Sequence, residues 1–377
     1  MGARIGLTIA LACVLAGCAA PPPPTPIART EAPFTLPGGR VLYSNAGTDL
    51  WTSAPDKTDR RQLTRDGAAS GDGYAGGRWS PDGKLVAAER VMAKENGSAL
   101  WLVSVPDGSA VRLTRPDTFL DGFAWSPDGR SLAYGELTSG GTLAAGGSLV
   151  GGVGDVKLYE IATKTTTVVG PGTHPTFSPD GKQLGWAHSS GAIAAYDLKT
   201  ATTTFLVNLA DLTRYSTANA PRGMGLLGGP VWSADSQRIA YAAIERGPIL
   251  EALQIVYVQD AKPLAPPKQW AIGKTGAVHH VADLRWAPTG STLAYAIINA
   301  QPHHHWIGTI DPAKGELSPL FDSVRHFLDF TWSPDGSLLL LQLDDDDAWA
   351  FIDPRKPGVA KRLEPGGWRP DWCRCAT

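Results

Sequence analysis

The sequence lacks several features that point to common protein classes. Its 34 lysines and arginines nearly balance its 36 aspartates and glutamates, so no basic excess predicts a nucleic acid or an anionic membrane surface as a partner. No amphipathic stretch with a helical period follows residue 20. The chain beyond that point is therefore expected to contain little helix.

Cysteine is scarce. Only Cys373 and Cys375 lie beyond the first 20 residues, at the end of the chain. A disulfide between two cysteines separated by one residue would be strained, so free thiols and a bond to a partner are both open alternatives. Two cysteines alone do not predict a structural metal site.

The common catalytic motifs are also missing. Ser148 follows Gly146 but precedes Val150, so it does not complete the Gly-x-Ser-x-Gly of a hydrolase, and there is no His-Glu-x-x-His. The glycines 223, 225 and 228 match a dinucleotide-binding pattern, but they fall in a predicted loop without the required strand–turn–helix context. These absences favour a binding protein over an enzyme.

What the sequence does contain is a five-residue repeat, of which Trp79-Ser80-Pro81-Asp82-Gly83 is the first full copy. Serine, proline, aspartate and glycine in this order suit the successive positions of a tight turn. The aromatic residue before the turn would close a strand. Full or partial copies recur every 36 to 55 residues and begin at Trp79, Trp125, Phe177, Trp232, Trp286, Trp332 and Trp368. A period near 50 predicts a solenoid or a propeller.

Four short strands per repeat make one propeller blade. Each turn precedes an apolar strand, such as Leu132-Ala133-Tyr134, and further short strands follow. Residues 39–66 contain three predicted strands without a preceding motif, whereas the last motif lacks following strands. We therefore predict an all-β, seven-bladed β-propeller, closed by pairing of the C-terminal strand with the N-terminal strands. Closure would remove exposed sheet edges.

The Trp-Ser-Pro-Asp-Gly copies resemble the repeat of TolB-like propellers, also called the WD40-like repeat, and the same motif occurs in the propellers of prolyl oligopeptidases. The likeness covers residues 39–372, with three full matches. It implies the propeller fold, a cell-envelope location and a non-catalytic habit of binding protein partners. The incomplete copies, such as the one at Trp232, lead us to expect wider corners.

The N-terminus predicts export and lipid attachment. Residues 1–18 resemble a lipoprotein signal peptide, in which the lipobox Leu15-Ala16-Gly17-Cys18 would make Cys18 the lipidation site. The alternative is an ordinary signal peptide with a chance cysteine. Residues 19–38 are proline-rich and are interpreted as a tether, which in extended form would reach on the order of 60 Å. The predicted domains are thus 1–18, 19–38, the propeller 39–372 and a tail 373–377.

The candidate binding residues are expected on one face. In a propeller, the connections between blades and the turns between the second and third strands open on the same face, which we call the mouth face. The candidates placed there are His174, His279, His280, His303, His305, His326 and Asp345, together with Tyr215 and Arg222 in the long connection 209–229. The alternative for all of them is ordinary solvated or packed loop residues.

Two functional hypotheses follow. The first is a lipid-anchored, monomeric scaffold in the bacterial cell envelope, facing the periplasm or the exterior, that binds an envelope protein or a peptide and needs no cofactor. The second is a metal-dependent lactonase or lyase that uses a histidine-rich mouth, with His280 and His305 as candidate metal ligands. The acidic residues 344–347 are interpreted as a solvated loop, because no glycine follows at the position a calcium loop requires.

Overall fold

The computed structural model describes most of the chain beyond its N-terminal segment. The described residues are 35–45, 48–67, 71–92, 97–115, 118–139, 142–143, 149–150, 153–208, 212, 223–246, 252–274, 279–299, 305–323, 327–343, 348–364 and 366–373. The predicted signal peptide and most of the predicted tether lie outside this part.

The described residues contain thirty strands, numbered in chain order, of which 28 form seven antiparallel blades and two, β10 and β11, form a separate hairpin. Blade 1 consists of β1 (Arg40–Asn45), β2 (Asp49–Ser53), β3 (Arg61–Gln62) and β30 (Trp368–Cys373). Blade 2 consists of β4 (Gly73–Trp79), β5 (Leu85–Met92), β6 (Gly97–Ser104) and β7 (Ala110–Arg112). Blade 6 consists of β22 (His279–Trp286), β23 (Leu293–Asn299), β24 (His305–Asp311) and β25 (Glu316–Ser323). Blade 7 consists of β26 (Phe327–Trp332), β27 (Leu339–Leu343), β28 (Ala348–Ile352) and β29 (Ala360–Leu363).

Blades 3 and 4 share one long strand. Blade 3 consists of β8 (Phe119–Trp125), β9 (Ser131–Ser139), β12 (Val153–Glu160) and the first half of β13 (Thr165–Phe177). Blade 4 consists of the second half of β13, β14 (Gln183–His188), β15 (Ala192–Asp197) and β16 (Thr202–Asn208). β13 pairs with β12 up to Pro171 and with β14 from Gly172, so the outer edge of one blade continues directly into the inner edge of the next.

Two long connections contain strands. The glycine-rich stretch 139–155 includes a short hairpin of β10 (Thr142–Leu143) and β11 (Leu149–Val150). In blade 5 the predicted connection 209–229 includes β17 (Gly223–Leu226), which pairs with β19. The other strands of blade 5 are β18 (Val231–Trp232), β19 (Arg238–Arg246), β20 (Ala252–Asp260) and β21 (Lys268–Lys274). The loop prediction was wrong for residues 223–226, because glycine-rich sequence hides the strand periodicity.

The blades form a closed ring, as predicted. The innermost strands contact one another in the order β4, β8, β13, β18, β22, β26, β30 and back to β4. β30 pairs with β1, with Val41 opposite Trp372 and Ser44 opposite Trp368. At this seam Tyr43, Trp349, Phe351 and Trp372 pack together as a buried aromatic cluster.

The motif tryptophans bond each blade to the one before it. The Trp125 indole N–H donates to the Arg78 carbonyl oxygen at 3.0 Å, and Trp332 donates to Arg285 in the same way. In each case the acceptor directly precedes the motif aromatic of the previous blade. Trp232, Trp286 and Trp79 repeat the pattern, donating to Thr176, Val231 and Asp371.

This pattern corrects the assignment of the last motif. Because the acceptor for Trp79 is Asp371, the aromatic of blade 1 is Trp372 rather than Trp368. Trp372 also pairs with Val41 as Trp332 pairs with Leu339. The sequence Trp368-Arg369-Pro370-Asp371 resembles the corner motif but lies within β30, four residues before the position that the motif takes in the other blades.

The corners are built from serine and aspartate. In the copy at Trp125, the Ser126 hydroxyl donates to Asp128 at 2.6 Å and accepts the Ser131 amide at 2.9 Å, while Asp128 accepts the Arg130 amide at 3.0 Å. The hydrogen bond from Ser126, followed by that from the Arg130 amide, lowers the pKa of Asp128 below its ordinary value.

The degenerate corner at Trp232 has the same geometry, so the expectation of a wider turn was wrong there. The Ser236 amide donates to the Ser233 carbonyl at 2.8 Å, and Ser236 itself adopts the left-handed conformation that glycine takes in the full copies, with φ of 60°. Serine and aspartate therefore set the corner, and the last position tolerates a residue other than glycine.

Lys57 adds a cation to the ring seam. Its ammonium lies 3.1 Å from the centroid of the Trp349 ring and 3.8 Å from that of Tyr43, and it donates to the Gly366 carbonyl at 2.9 Å. Tyr43 belongs to blade 1 and Trp349 to blade 7. Lys57 thus joins the two blades that close the ring, through cation–π contacts that stabilise partly desolvated sites.

The cysteine at the end of β30 is not a free thiol. Cys373 is disulfide-bonded, which decides against the free-thiol alternative for this residue. Among the described residues, no helix is long and apolar enough to cross a membrane.

Candidate functional site: the wall of the central channel

The innermost strands line the central channel. Side chains alternate along a strand. The residues one and three positions before each motif aromatic therefore lie on the same side of the strand, which we assign to the channel wall. The seven residues three positions before the aromatic, in ring order from blade 1, are Arg369, Gly76, Gly122, His174, Gly229, Asp283 and Asp329. Most of these strands carry a β-bulge next to this position, and bulges often re-aim side chains at functional sites.

Arg285 is the centre of a charged cluster on this wall. Its Nε lies 2.7 Å from Oδ2 of Asp283 on the same strand, and its Nη2 lies 2.7 Å from Oδ1 of Asp329 on blade 7. The side chains of Arg285 and Asp283 remain 19% and 34% exposed, so solvent reaches them. The guanidinium also lies 5.2 Å from the centroid of the Phe330 ring.

The surroundings shift the pKa values of this cluster. Burial raises the pKa of Asp283 above its ordinary value, and the charge of Asp329 adds to the rise, although Arg285 and Arg78 oppose it. Burial works against the charged form of Arg285, but Asp283 and Asp329 outweigh this effect and raise its pKa. The arginine therefore holds two carboxylates that would otherwise repel each other.

A second group of charges lies on blades 1 and 2. Arg78 Nη1 lies 3.9 Å from Asp371 Oδ1, a looser ion pair than those of Arg285, and Asp371 Oδ2 accepts the Trp79 amide at 2.9 Å. Arg369 reaches Glu89 of β5 at 2.9 Å. Blades 6, 7, 1 and 2 thus give the channel a charged wall.

Blades 3 to 5 give the channel a different wall. At the same positions they carry Gly122, Ala124, Thr176, Gly229 and Val231, which are small and uncharged. The exception is His174, which lies among glycines. An ideal Cβ on Gly122 would lie 2.9 Å from the His174 Cα, and one on Gly229 would overlap the His174 carbonyl oxygen.

His174 belongs to a polar group with Asp121 and Thr173. Its Nε2 lies 3.3 Å from Asp121 Oδ1, and its Nδ1 lies 3.0 Å from the Thr173 hydroxyl oxygen. Burial raises the pKa of Asp121, whereas the charge of His174 and a hydrogen bond from Thr173 partly lower it again. His174 has φ of 53°, an uncommon conformation for a residue other than glycine.

The structure brings only part of the predicted site together. His174 lies on the channel wall, His279 and His280 begin β22, and His305 begins β24 and is 1% exposed. Tyr215, Arg222, His303, His326 and Asp345 lie outside the described residues, as does Cys18.

The strand register relates the two candidate metal ligands. His280 and His305 both pair with Ile298, from opposite sides. Their backbones therefore lie two strands apart, about 10 Å. In the part of the chain that the structure describes, no three histidine, cysteine, aspartate or glutamate side chains lie close enough together to hold a metal ion.

Sequence reasoning missed Asp121, Thr173, Asp283, Arg285 and Asp329. A usable signal was present for the last three, because a charged residue three or one positions before a motif aromatic marks a channel-lining side chain, whereas Asp121 and Thr173 stand four positions before theirs. No catalytic motif contains these residues, since the partners lie on different blades and share no local spacing.

Comparisons with known proteins support the fold. No family model and no curated protein matches the sequence. Among solved structures, oligogalacturonate lyase in complex with manganese is 15% identical, with coverage of 88% of this chain and 86% of that chain and a TM-score of 0.53. A chain of the mitotic checkpoint complex is 13% identical, with coverage of 89% and 98% and a TM-score of 0.54. At such identities these likenesses show the fold alone.

TolB from Acinetobacter baumannii is 14% identical, with coverage of 88% and 82% and a TM-score of 0.45, which is too low to add to the fold assignment. The described sheets themselves show the all-β, seven-bladed propeller of the kind that the corner repeat predicted. The resemblance to the repeat propellers is therefore confirmed at the level of the fold.

Proposed function

We propose that this chain is a lipid-anchored propeller of the bacterial cell envelope that binds a protein or peptide partner at the mouth of its central channel. The observation that carries the proposal is the two-sided channel wall. One side presents Arg78, Arg285 and three aspartates, whereas the other, apart from His174, presents glycine, alanine, threonine and valine. Such a wall offers fixed charges for orientation beside space for a backbone or an apolar side chain.

Arg78 is the charged group best placed to meet a partner. Arg285 is already held by two carboxylates at 2.7 Å, whereas the ion pair of Arg78 is 3.9 Å long and its side chain is 33% exposed. A guanidinium of this kind can bind a partner's carboxylate or backbone carbonyl without breaking a short ion pair first. The binding role itself requires no catalysis.

Cross-linking in cells tests the binding role. A photoreactive residue at Ala124, on the uncharged wall, is expected to give an adduct of defined mass. The adduct should weaken when Arg78 is changed to Ala. The matched control is Lys84, which is 77% exposed on the corner face away from the mouth and should give no such adduct. Absence of the adduct at position 124, or the same adduct at position 84, would contradict the proposal.

Lipid attachment is tested separately. Metabolic labelling with a clickable fatty acid should label the chain and fractionate it with membranes, and Cys18→Ser should remove both. Labelling that persists in C18S, or membrane association that does not depend on this residue, would show that the N-terminal cysteine is not an anchor. Fractionation of the labelled chain between inner and outer membranes would then define its location.

A second candidate function is a metal-dependent lyase or lactonase. The observation that favours it is the pairing of His280 and His305 with one residue, Ile298, in blade 6, beside the fold likeness to a lyase in complex with manganese. Metal analysis of the purified chain tests it. Stoichiometric manganese or zinc that is lost in both His280→Ala and His305→Ala would support this function, whereas metal content unchanged by either substitution would contradict it.

A further inference from the structure

The Thr173 hydroxyl lies against two groups that can accept its proton. One is the His174 imidazole, with 3.0 Å between Oγ1 and Nδ1. The other is the Asp121 carboxylate, which accepts a hydrogen bond from Thr173 and lies 3.3 Å from the second nitrogen of His174. A hydroxyl bonded to a base, which in turn is oriented by a carboxylate, is the arrangement that activates serine and threonine nucleophiles.

The exposure of the three groups suits this chemistry. Thr173 and His174 are half-buried on the channel-lining strand β13, and Asp121 behind them is 9% exposed. Solvent therefore reaches part of Thr173, while the carboxylate is shielded from bulk water. Burial raises the pKa of Asp121, which makes it a stronger base than an exposed aspartate.

The backbone around the group is held in an uncommon conformation. His174 has φ of 53°, and three glycines approach this segment closely. An added Cβ would meet His174 from Gly122 and Gly229, and one on Gly135 would lie 3.2 Å from the Thr173 Cα. Strained residues that persist because their surroundings fix them concentrate at functional sites. Neighbouring blades thus fix the adjacent threonine and histidine in register with Asp121.

We infer that Thr173 is a nucleophile for acyl transfer from small carboxylic esters that enter the channel, with His174 and Asp121 as the proton-accepting pair. Thr173 Oγ1 forms a bond to the ester carbonyl carbon as its proton passes to the pair. The bond to the leaving oxygen then breaks, and that oxygen takes the proton and departs as an alcohol. Water later attacks the acyl-threonine, which releases the carboxylic acid and restores the hydroxyl. This activity goes beyond the binding role and does not depend on it.

The test uses p-nitrophenyl acetate and the purified full chain. We expect a burst of about one p-nitrophenol per chain, in line with accumulation of an acyl-enzyme, and one acetyl group located on Thr173 by peptide mass spectrometry. Thr173→Val should abolish the burst, and Thr173→Ser should retain it. His174→Gln should slow acylation by about 10²–10⁴-fold, the usual contribution of a general base, and should flatten its pH profile.

Thr165→Val is the matched control. Thr165 lies on the same strand but is exposed at its start, away from the channel wall, and its hydroxyl oxygen lies 2.7 Å from that of Thr163. T165V should acylate as the wild type does. A wild-type chain without a burst, an acetyl group found only on lysines, or a T173V burst equal to that of the wild type would overturn the inference. The acetyl group is located by mass spectrometry on the wild-type chain. This part of the test therefore does not depend on whether a variant folds.

Discussion

Arg285 on blade 6 bonds to Asp329 on blade 7 at 2.7 Å, across a sequence separation of 44 residues. The same guanidinium holds Asp283, so removal of the arginine leaves two neighbouring carboxylates without their cation. We expect Arg285→Met to lower the free energy of unfolding at pH 7 by about 2–3 kcal/mol, somewhat less than for a fully enclosed pair because solvent reaches the site. Urea denaturation measures the change.

The pH dependence gives this prediction a specific sign. The pKa of Asp283 is already raised in the folded protein, and loss of Arg285 would raise it further. A carboxyl with a raised folded pKa stabilises the fold below its unfolded pKa and loses that contribution as the pH rises through the folded pKa. R285M should therefore regain stability as the pH falls from 7 toward 5. Arg130→Met is the control, since Arg130 is 84% exposed and its ion pair is 3.9 Å long, and it should change stability by less than about 0.5 kcal/mol.

The corner aspartates are expected to have the opposite effect, so that the free energy of unfolding falls as the pH falls. Asp82, Asp128 and Asp235 have lowered pKa values, chiefly because a corner serine donates a hydrogen bond to each. Such groups stabilise the fold above their unfolded pKa, 3.8, and lose that contribution as the pH falls through their lower folded values.

Unfolding measured from pH 6 down to 3 should therefore show a loss of stability that begins near pH 4. Asp128→Ala should cost about 1 kcal/mol at pH 6, as expected for one net hydrogen bond, and should reduce the slope below pH 4. The Trp286 copy is a natural comparison, because Thr289 replaces the aspartate there. Thr289→Ala should leave the acid slope unchanged, and an equal loss of slope in T289A and D128A would contradict the explanation.

The seam between the chain ends distinguishes two tryptophans. Trp372 is 6% exposed and packs on Phe351 and Val41, whereas Trp368 is only half-buried. We expect Trp372→Ala to destabilise the ring by about 3–5 kcal/mol, in the range of large core truncations, and Trp368→Ala to cost clearly less. Thermal or urea unfolding of the two variants checks the order. The reverse order would restore Trp368 as the blade 1 motif residue.

Lys57 is expected to stabilise the same seam by its charge. Lys57→Met keeps most of the aliphatic chain but loses the cation–π contacts with Tyr43 and Trp349, so we predict a loss of about 1–2 kcal/mol. Lys199→Met, on an exposed turn of blade 4, is the control and should have little effect. Equal stabilities of K57M and K199M would show that the cation contributes nothing to ring closure.

The fold was predictable because its determinants are local and repeated. Serine and aspartate specify the turn at five corners regardless of the rest of the blade, and the recurring copies therefore indicated the number of blades. The last blade was misaligned by four residues, because Pro370 and Asp371 within β30 imitate a corner. Backbone pairing with Val41 decides the correct position, and pairing across the whole chain cannot be read from a five-residue motif.

The candidate site was less predictable for a related reason. The sequence indicates His174 because it falls between blades. It does not indicate Asp121, which belongs to a different blade, or Thr173, which carries no charge and no motif. Arg285 and Asp329 meet only because blades 6 and 7 are neighbours in the ring. Such contacts depend on the angle between adjacent sheets, which the sequence specifies only through the packing of the whole ring.

The position of β1 also determines how the ring would respond to mechanical tension. The chain that precedes Arg40 leads straight into the strand that pairs with β30, and Arg40 lies opposite Cys373. A pull on the N-terminal segment would therefore act first on the ladder between these two strands, which would separate one residue pair at a time rather than all together. Force applied in that direction would open the circle at its junction, while the corners of the other six blades would still be intact.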